Sequence, residues 1–73
     1  MKLTKSQKES MKKERLNLKW FLKMALGENA KLIEGENWKK EKWLSGRNLM
    51  IEVRASGKIK TWSIGPRGSV RTY

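Results

Sequence analysis

The first third of the chain has the apolar spacing of an amphipathic helix. Drawn at about 100° per residue, the apolar side of this helix comprises Met11, Leu18, Phe21, Leu22, Met24 and Ala25. Thr4 followed by Gln7 has the spacing of a capping box, and Gly27 is placed to end the helix in a left-handed conformation. The pattern therefore predicts one helix over residues 4–26.

This helix is poorer in apolar residues in its first half. Between Thr4 and residue 16 the only apolar side chain is Met11, so we expect the first three turns to project from the core and to become ordered on a partner. Leu16 and Trp20 fall outside the main apolar arc. They form either a second packing edge or an exposed apolar contact.

Residues 28–36 fit either a short helical turn or a short strand. We expect Leu32 and Ile33 to enter the core and Gly35 to end the element. The segment that follows, residues 38–44, fits either a strand or two helical turns. The strand is favoured because residues 45–48 then make a turn into the next strand.

The last third alternates with the period of a strand. Apolar and other residues alternate over residues 49–54, and a three-residue hairpin loop with Gly57 in the left-handed position would follow. That loop places Val53 opposite Ile59. A two-residue loop would instead place Val53 opposite Lys60, which is a poorer chemical match.

A second turn is predicted at residues 65–68, with Pro66 at its favoured second position. The strand predicted after it, residues 69–73, returns beside the preceding strand with Val70 opposite Ser63. The result is an antiparallel meander.

The predicted register assigns each strand residue to one of two sheet faces. It also pairs Glu52 with Lys60 and Met50 with Trp62. The face expected to pack on the helix carries Leu49, Ile51, Val53, Ile59, Thr61 and Val70. The other face carries Met50, Arg54, Lys58, Lys60, Trp62, Arg71 and Tyr73.

Together these elements predict an α+β fold, in which a long N-terminal amphipathic helix packs on a small antiparallel β-meander of three or four strands. We expect one small domain over residues 1–73, with the helix at 4–26, a connecting segment at 27–37 and the meander at 38–73.

The composition excludes several function classes. The 73 residues include no Cys, His or Asp, which argues against disulfides, the usual zinc sites and imidazole catalysis. We expect no enzyme activity, no cofactor and no metal. The chain has no run of about 18 apolar residues and no apolar region at its N-terminus, so we expect a soluble, cytoplasmic protein.

The charge points to an anionic partner. Eighteen Lys and Arg residues against seven Glu give a formal net charge of +11, which attracts polyanions strongly at low salt. Six bases fall within an arc of about 80° on the predicted helix. This basic helix face comprises Lys5, Lys8, Lys12, Arg15, Lys19 and Lys23. The alternative interpretation is an ordinary solvated face.

A second basic surface is predicted on the sheet. It comprises Arg54, Lys58, Lys60, Trp62, Arg67, Arg71 and Tyr73. Cations there would neutralise phosphates while an aromatic ring stacks on an unpaired base. Trp62 belongs to the core instead if the hairpin takes its alternative register.

The sequence therefore predicts a nucleic-acid-binding protein, for DNA or RNA, without catalysis and with weak sequence preference. The alternative is a small regulator or inhibitor, of the kind a phage encodes, that docks on an acidic surface of a nucleic-acid-processing enzyme. Its anchors would be Trp20, Trp38 or Trp43. Binding to a membrane surface is a weaker third interpretation, and the open strand edge makes a dimer credible.

Overall fold

A computed structural model describes residues 2–73 as a bent helix on one face of an open sheet. The elements are α1 (Lys5–Lys13), α2 (Arg15–Leu26), β1 (Trp38–Ser45), β2 (Asn48–Ala55), β3 (Lys58–Ile64) and β4 (Val70–Thr72). Helices α1 and α2 form one bent helix of 22 residues. The predicted α+β fold is confirmed.

The four strands form one antiparallel sheet in the order β1-β2-β3-β4. Residues 38–44, which fitted a strand or two helical turns, lie in strand β1. Between the helix and this strand, residues 28–36 form no regular strand. They contain a hydrogen-bonded turn, in which the N–H groups of Glu36 and Asn37 donate to the Ile33 carbonyl at 3.1 and 3.2 Å. Their only bridge of the β type is a parallel one between Glu34 and Trp38.

The hairpin between β2 and β3 differs from its prediction. Its loop has two residues, Ser56 and Gly57, with φ angles of 52° and 76°, and positive φ at both positions is typical of a type I′ turn. Val53 therefore pairs with Lys60, and Ile51 pairs with Trp62. The predicted three-residue loop is wrong because the shorter loop turns Trp62 toward the helix, where it is only 2% exposed.

The shift of one residue continues into the last strand. Val70 pairs with Ile64 rather than with Ser63, and β4 ends at Thr72. The turn itself is as predicted, because Pro66 occupies its second position and the Gly68 N–H donates to the Gly65 carbonyl at 2.9 Å.

The core lies between the bent helix and the inner face of the sheet, the face that carries Trp62. Its buried apolar residues are Leu22, Leu49, Ile51, Val53, Ala55, Trp62 and Ile64. Partly buried around them are Leu3, Met11, Leu18, Phe21, Ala25, Leu26, Leu32 and Trp38. Most of the predicted core residues of the helix are therefore confirmed.

Five core predictions are wrong. Val70 lies on the inner face, where it pairs with Ile64, but it is 37% exposed and outside the core. Met24 is 78% exposed because it points away from the sheet, and Ile33 lies outside the core at 45% exposed. Ile59 and Thr61 pair with Arg54 and Glu52. The register therefore places both on the outer face of the sheet, opposite the helix.

Polar side chains dock the first half of the helix. The capping box of Thr4 and Gln7 forms as predicted. The Gln7 side chain, only 2% exposed, also donates through Nε2 to the carbonyls of Arg47 at 2.8 Å and Ile64 at 3.1 Å. The Ser10 hydroxyl donates to the Gly68 carbonyl at 2.6 Å. The prediction that these turns project from the core is wrong, because hydrogen bonds to two hairpin loops replace the missing apolar contacts.

The helix bends at Glu14, whose ψ of −3° departs from the helical value of about −42°. The indole N–H of Trp62 donates to Oε1 of Glu14 at 3.0 Å, and the Asn17 amide donates to the same carboxylate. The bend thus carries a polar partner for the largest core side chain. The helix ends at Leu26 as predicted, although Gly27, at φ 101° and ψ 149°, is not in the left-handed helical conformation.

We predict that Gln7→Leu lowers the free energy of unfolding by about 2–4 kcal/mol, because it leaves the carbonyls of Arg47 and Ile64 without their donor. Urea unfolding measures the change. The control is Glu9→Leu, which introduces the same leucine side chain at an exposed position of α1. It should change the free energy of unfolding by less than about 0.5 kcal/mol. Equal effects of the two substitutions would show that the Gln7 contacts add nothing.

A second stability prediction concerns the bend. Glu14→Ala removes the acceptor of the buried Trp62 indole, so we expect a decrease of about 1–3 kcal/mol in the free energy of unfolding by urea. Glu14→Gln keeps an acceptor oxygen and should be less destabilised. A result in which the Gln variant is as unstable as the Ala variant would contradict the role of this hydrogen bond.

Candidate nucleic-acid interface

The basic helix face runs along the exposed side of both helices. Lys5, Lys8 and Lys12 are exposed on α1; on α2, Arg15 and Lys19 are exposed and Lys23 is half-buried. Backbone hydrogen bonds continue across the bend, from Leu18 N to Glu14 O at 2.9 Å and from Glu14 N to Ser10 O at 3.0 Å. The structure therefore places the six predicted residues along one side of a continuous, bent helix.

These cations have no acidic partners among the described residues. Within residues 2–73, the single ion pair joins Arg54 Nε to Glu52 Oε1 at 2.7 Å, and it lies on the sheet. Because no carboxylate of this part of the chain neutralises it at contact distance, the basic helix face keeps its positive potential for an external anion.

A groove separates the helix from strand β1, with a volume of about 180 Å³. Apolar side chains lining it are Met11, Leu18, Ile51 and Trp62; the charged ones are Glu14, Arg15, Lys40 and Lys42. Arg15, from the basic helix face, thus lies on the same groove as two lysines from the sheet. Lys40 and Lys42 therefore extend the basic helix face sideways, across the groove.

The prediction of site residues missed Lys40 and Lys42. The signal was present, because the strand pattern placed Lys40 and Lys42 on one side with Trp38 and Leu44. That side faces the helix, since Lys40 pairs with Val53 and Lys42 pairs with Ile51. What the strand pattern lacked was the position of the helix relative to this edge strand.

The predicted sheet surface does not form as one face. Arg54, Arg71 and Tyr73 lie on the outer face, whereas Lys58, Lys60 and Trp62 lie on the inner face. Arg67 is exposed in the turn before β4. The cause is the one-residue shift in register, which moves every β3 side chain to the opposite face.

Trp62 is not available to stack on a base. It is 2% exposed, its N–H is bound to Glu14, and the Lys60 ammonium lies 5.6 Å from its ring centroid. This distance is within the range of a cation–π contact. Trp62 is thus a core residue, as the alternative register implied.

The outer sheet face is nearly balanced in charge. On strands β1, β2 and β4 it carries three bases and two acids: Lys39, Arg54, Arg71, Glu41 and Glu52. The hydrogen bond from Arg54 to Glu52, together with the charge of Glu52, raises the pKa of the Arg54 guanidinium above its ordinary value. The positive potential of the protein is therefore concentrated on its helical side.

The three tryptophans considered as docking anchors have different surroundings. Trp20 is 58% exposed on α2, and Trp43 is 39% exposed on the outer sheet face. Trp38 is half-buried against the core, and its buried indole nitrogen has no hydrogen-bond partner among the described residues. Of the three, Trp20 and Trp43 are placed to contact a partner, and they lie on opposite sides of the molecule.

The described residues, 2–73, offer no metal centre. Among them, no group of three His, Cys, Asp or Glu side chains is placed to hold a metal ion. No helix in this part of the chain has the length and apolar character needed to cross a membrane.

The candidate interface is thus a basic helix face with six aligned cations, joined through a groove to two lysines of β1. Comparisons with protein-family models, with curated proteins and with solved structures find no match to this chain. A functional interpretation therefore depends on the geometry and charge of this surface.

Proposed function

We propose that this protein binds nucleic acid without catalysing a reaction, through the basic helix face and the lysines of the adjoining groove. The observation that carries the proposal is the alignment of six cations, without acidic partners among the described residues, on a helix that is already docked. Nucleic acid is a regular linear array of negative charges, so it matches a linear array of positive ones.

The binding would be driven mainly by the release of counterions from the phosphates. Because the sheet docks α1 before any partner arrives, the free energy of binding is not reduced by the cost of folding the helix. Contacts to phosphates position a protein on nucleic acid but carry no sequence information directly. The basic helix face consists of five Lys and one Arg, which we expect to contact phosphates, so the expected sequence preference is weak.

The first test reverses charges at the centre of the face. We predict that the triple substitution Lys12→Glu, Arg15→Glu and Lys19→Glu lowers affinity for a mixed-sequence oligonucleotide by more than about 100-fold at moderate salt. Fluorescence anisotropy measures it. The matched control is Lys39→Glu, Arg54→Glu and Arg71→Glu, which changes the net charge equally on the outer sheet face.

The control should retain most of the affinity, and the affinity of the unmodified protein should fall steeply as salt rises. Equal decreases in the two triple variants, or an affinity that does not depend on salt, would contradict the proposal.

The groove lysines give a second prediction. Replacing Lys40 and Lys42 by Ala should reduce the slope of log affinity against log salt by about 0.7–0.9 for each phosphate that these lysines neutralise. Lys39→Ala removes a charge from the same strand but on the opposite face, and it should leave the slope unchanged. If the double substitution leaves the slope unchanged, the groove is not part of the interface.

A second candidate function is docking on an acidic protein surface, as a regulator of a nucleic-acid-processing enzyme. The exposure of Trp20, at 58%, favours it, because aromatic side chains and Arg dominate protein hot spots. Affinity capture from a nuclease-treated lysate separates the two functions. A stoichiometric protein that remains bound supports docking, whereas the release of all bound material supports nucleic acid.

A further inference from the structure

Helix α2 carries an apolar stripe that nothing in the described chain covers. The stripe consists of Leu16, Trp20 and Met24, which are 62%, 58% and 78% exposed. Each residue of the stripe comes four positions after the previous one, so neighbouring residues of the stripe are about 6 Å apart along the helix axis. Exposing three large apolar side chains in a row on a small, highly charged protein indicates a binding surface.

The basic residues of α2 run beside this stripe with the same step. Arg15, Lys19 and Lys23 each come one position before a residue of the stripe. One position in an α-helix is a rotation of about 100°, so the two rows are parallel neighbours on the helix surface. A cationic row and an apolar row therefore advance together along α2.

The other flank of the apolar stripe has no charge on α2. It is formed by Asn17, whose amide is bound to Glu14, and by Phe21, which is partly buried against the core. The cations of α2 thus lie on one side of the stripe only. This asymmetry restricts what the surface can bind.

A second copy of the chain fits poorly, because its own apolar stripe has no acidic residues beside it on α2 and would leave Arg15, Lys19 and Lys23 without partners. A lipid bilayer presents anionic headgroups around an inserted helix on both sides, so it favours cations on both flanks. A duplex keeps its bases paired and stacked inside, and it offers the stripe nothing apolar along its backbone. A single strand has phosphates along one side and unpaired bases along the other.

We propose that α2 binds single-stranded nucleic acid, with phosphates on Arg15, Lys19 and Lys23 and unpaired bases on the apolar stripe, where Trp20 stacks on one of them. This inference rests on the proposed function and adds a preference for single strands over duplexes. The stacking is tolerant of sequence, because every base has an aromatic face.

The test measures binding of a 20-nucleotide single strand and a duplex of the same length, at one salt concentration. The unmodified protein should bind the single strand more tightly. Trp20→Ala should weaken single-strand binding by about fivefold to 150-fold, the usual range for the removal of one stacked base. Its affinity for the duplex and its salt slope should stay the same.

Two variants serve as controls. Trp20→Phe keeps an aromatic ring and should restore most of the single-strand affinity. Trp43→Ala removes an exposed tryptophan from the outer sheet face and should have no effect. Because Trp20 is exposed, its replacement should leave the urea midpoint nearly unchanged, and urea unfolding of each variant checks this.

The possible failures are distinguishable. If neither the single strand nor the duplex binds, the proposed function and this inference both fail. If both ligands bind equally and Trp20→Ala changes neither, the inference fails and the proposed function stands. Vesicles of phosphatidylcholine and phosphatidylserine form a third arm. The protein is sedimented with these vesicles. If Trp20→Ala abolishes binding to the vesicles but does not change single-strand binding, the stripe is a lipid-binding surface and the inference is overturned.

Discussion

The hydrogen bonds of Gln7 determine where the helix lies. Its buried side chain closes the capping box with Thr4 and reaches the carbonyls of Arg47 and Ile64. One amide therefore joins the start of the helix to the β1–β2 turn and to the end of β3. Leu22 packs in the core at the other end of the helix. Between these two points the Glu14 carboxylate accepts a hydrogen bond from the Trp62 indole N–H. The helix therefore lies across the sheet with one side packed against it.

The remaining sides of the helix are free for other chemistry. Because polar contacts hold α1, its outward residues need no apolar character, and they can be lysines at nearly every turn. On α2 the core takes Leu18, Leu22 and Ala25, which leaves room for both a cationic row and an exposed apolar row. The net charge of +11 opposes compaction. Six of the cations lie along one outward surface, the basic helix face.

The sequence predicted the fold class, the helix ends, the capping box and the presence of each strand, because these depend on local pattern. The predicted register of β3 was wrong, because it was chosen for favourable cross-strand pairs such as Glu52 with Lys60 and not for the burial of one large side chain. Burying Trp62 involves more apolar area than any of those pairs, so the shorter loop is favoured. The sequence also could not reveal two features that depend on tertiary placement. The Gln7 amide reaches the carbonyls of Arg47 and Ile64, 40 and 57 residues away, and Lys40 and Lys42 line the same groove as Arg15.

If the sheet docks the helix in this way, the basic helix face is formed before any partner binds. Amide hydrogen exchange of the free protein, resolved by residue, is the decisive measurement. Residues 9–13 of α1 should be protected to within about tenfold of residues 20–24 of α2, since the sheet docks both. Exchange of residues 9–13 at the rate of an unstructured chain, with α2 still protected, would show instead that the first half of this face forms only on binding.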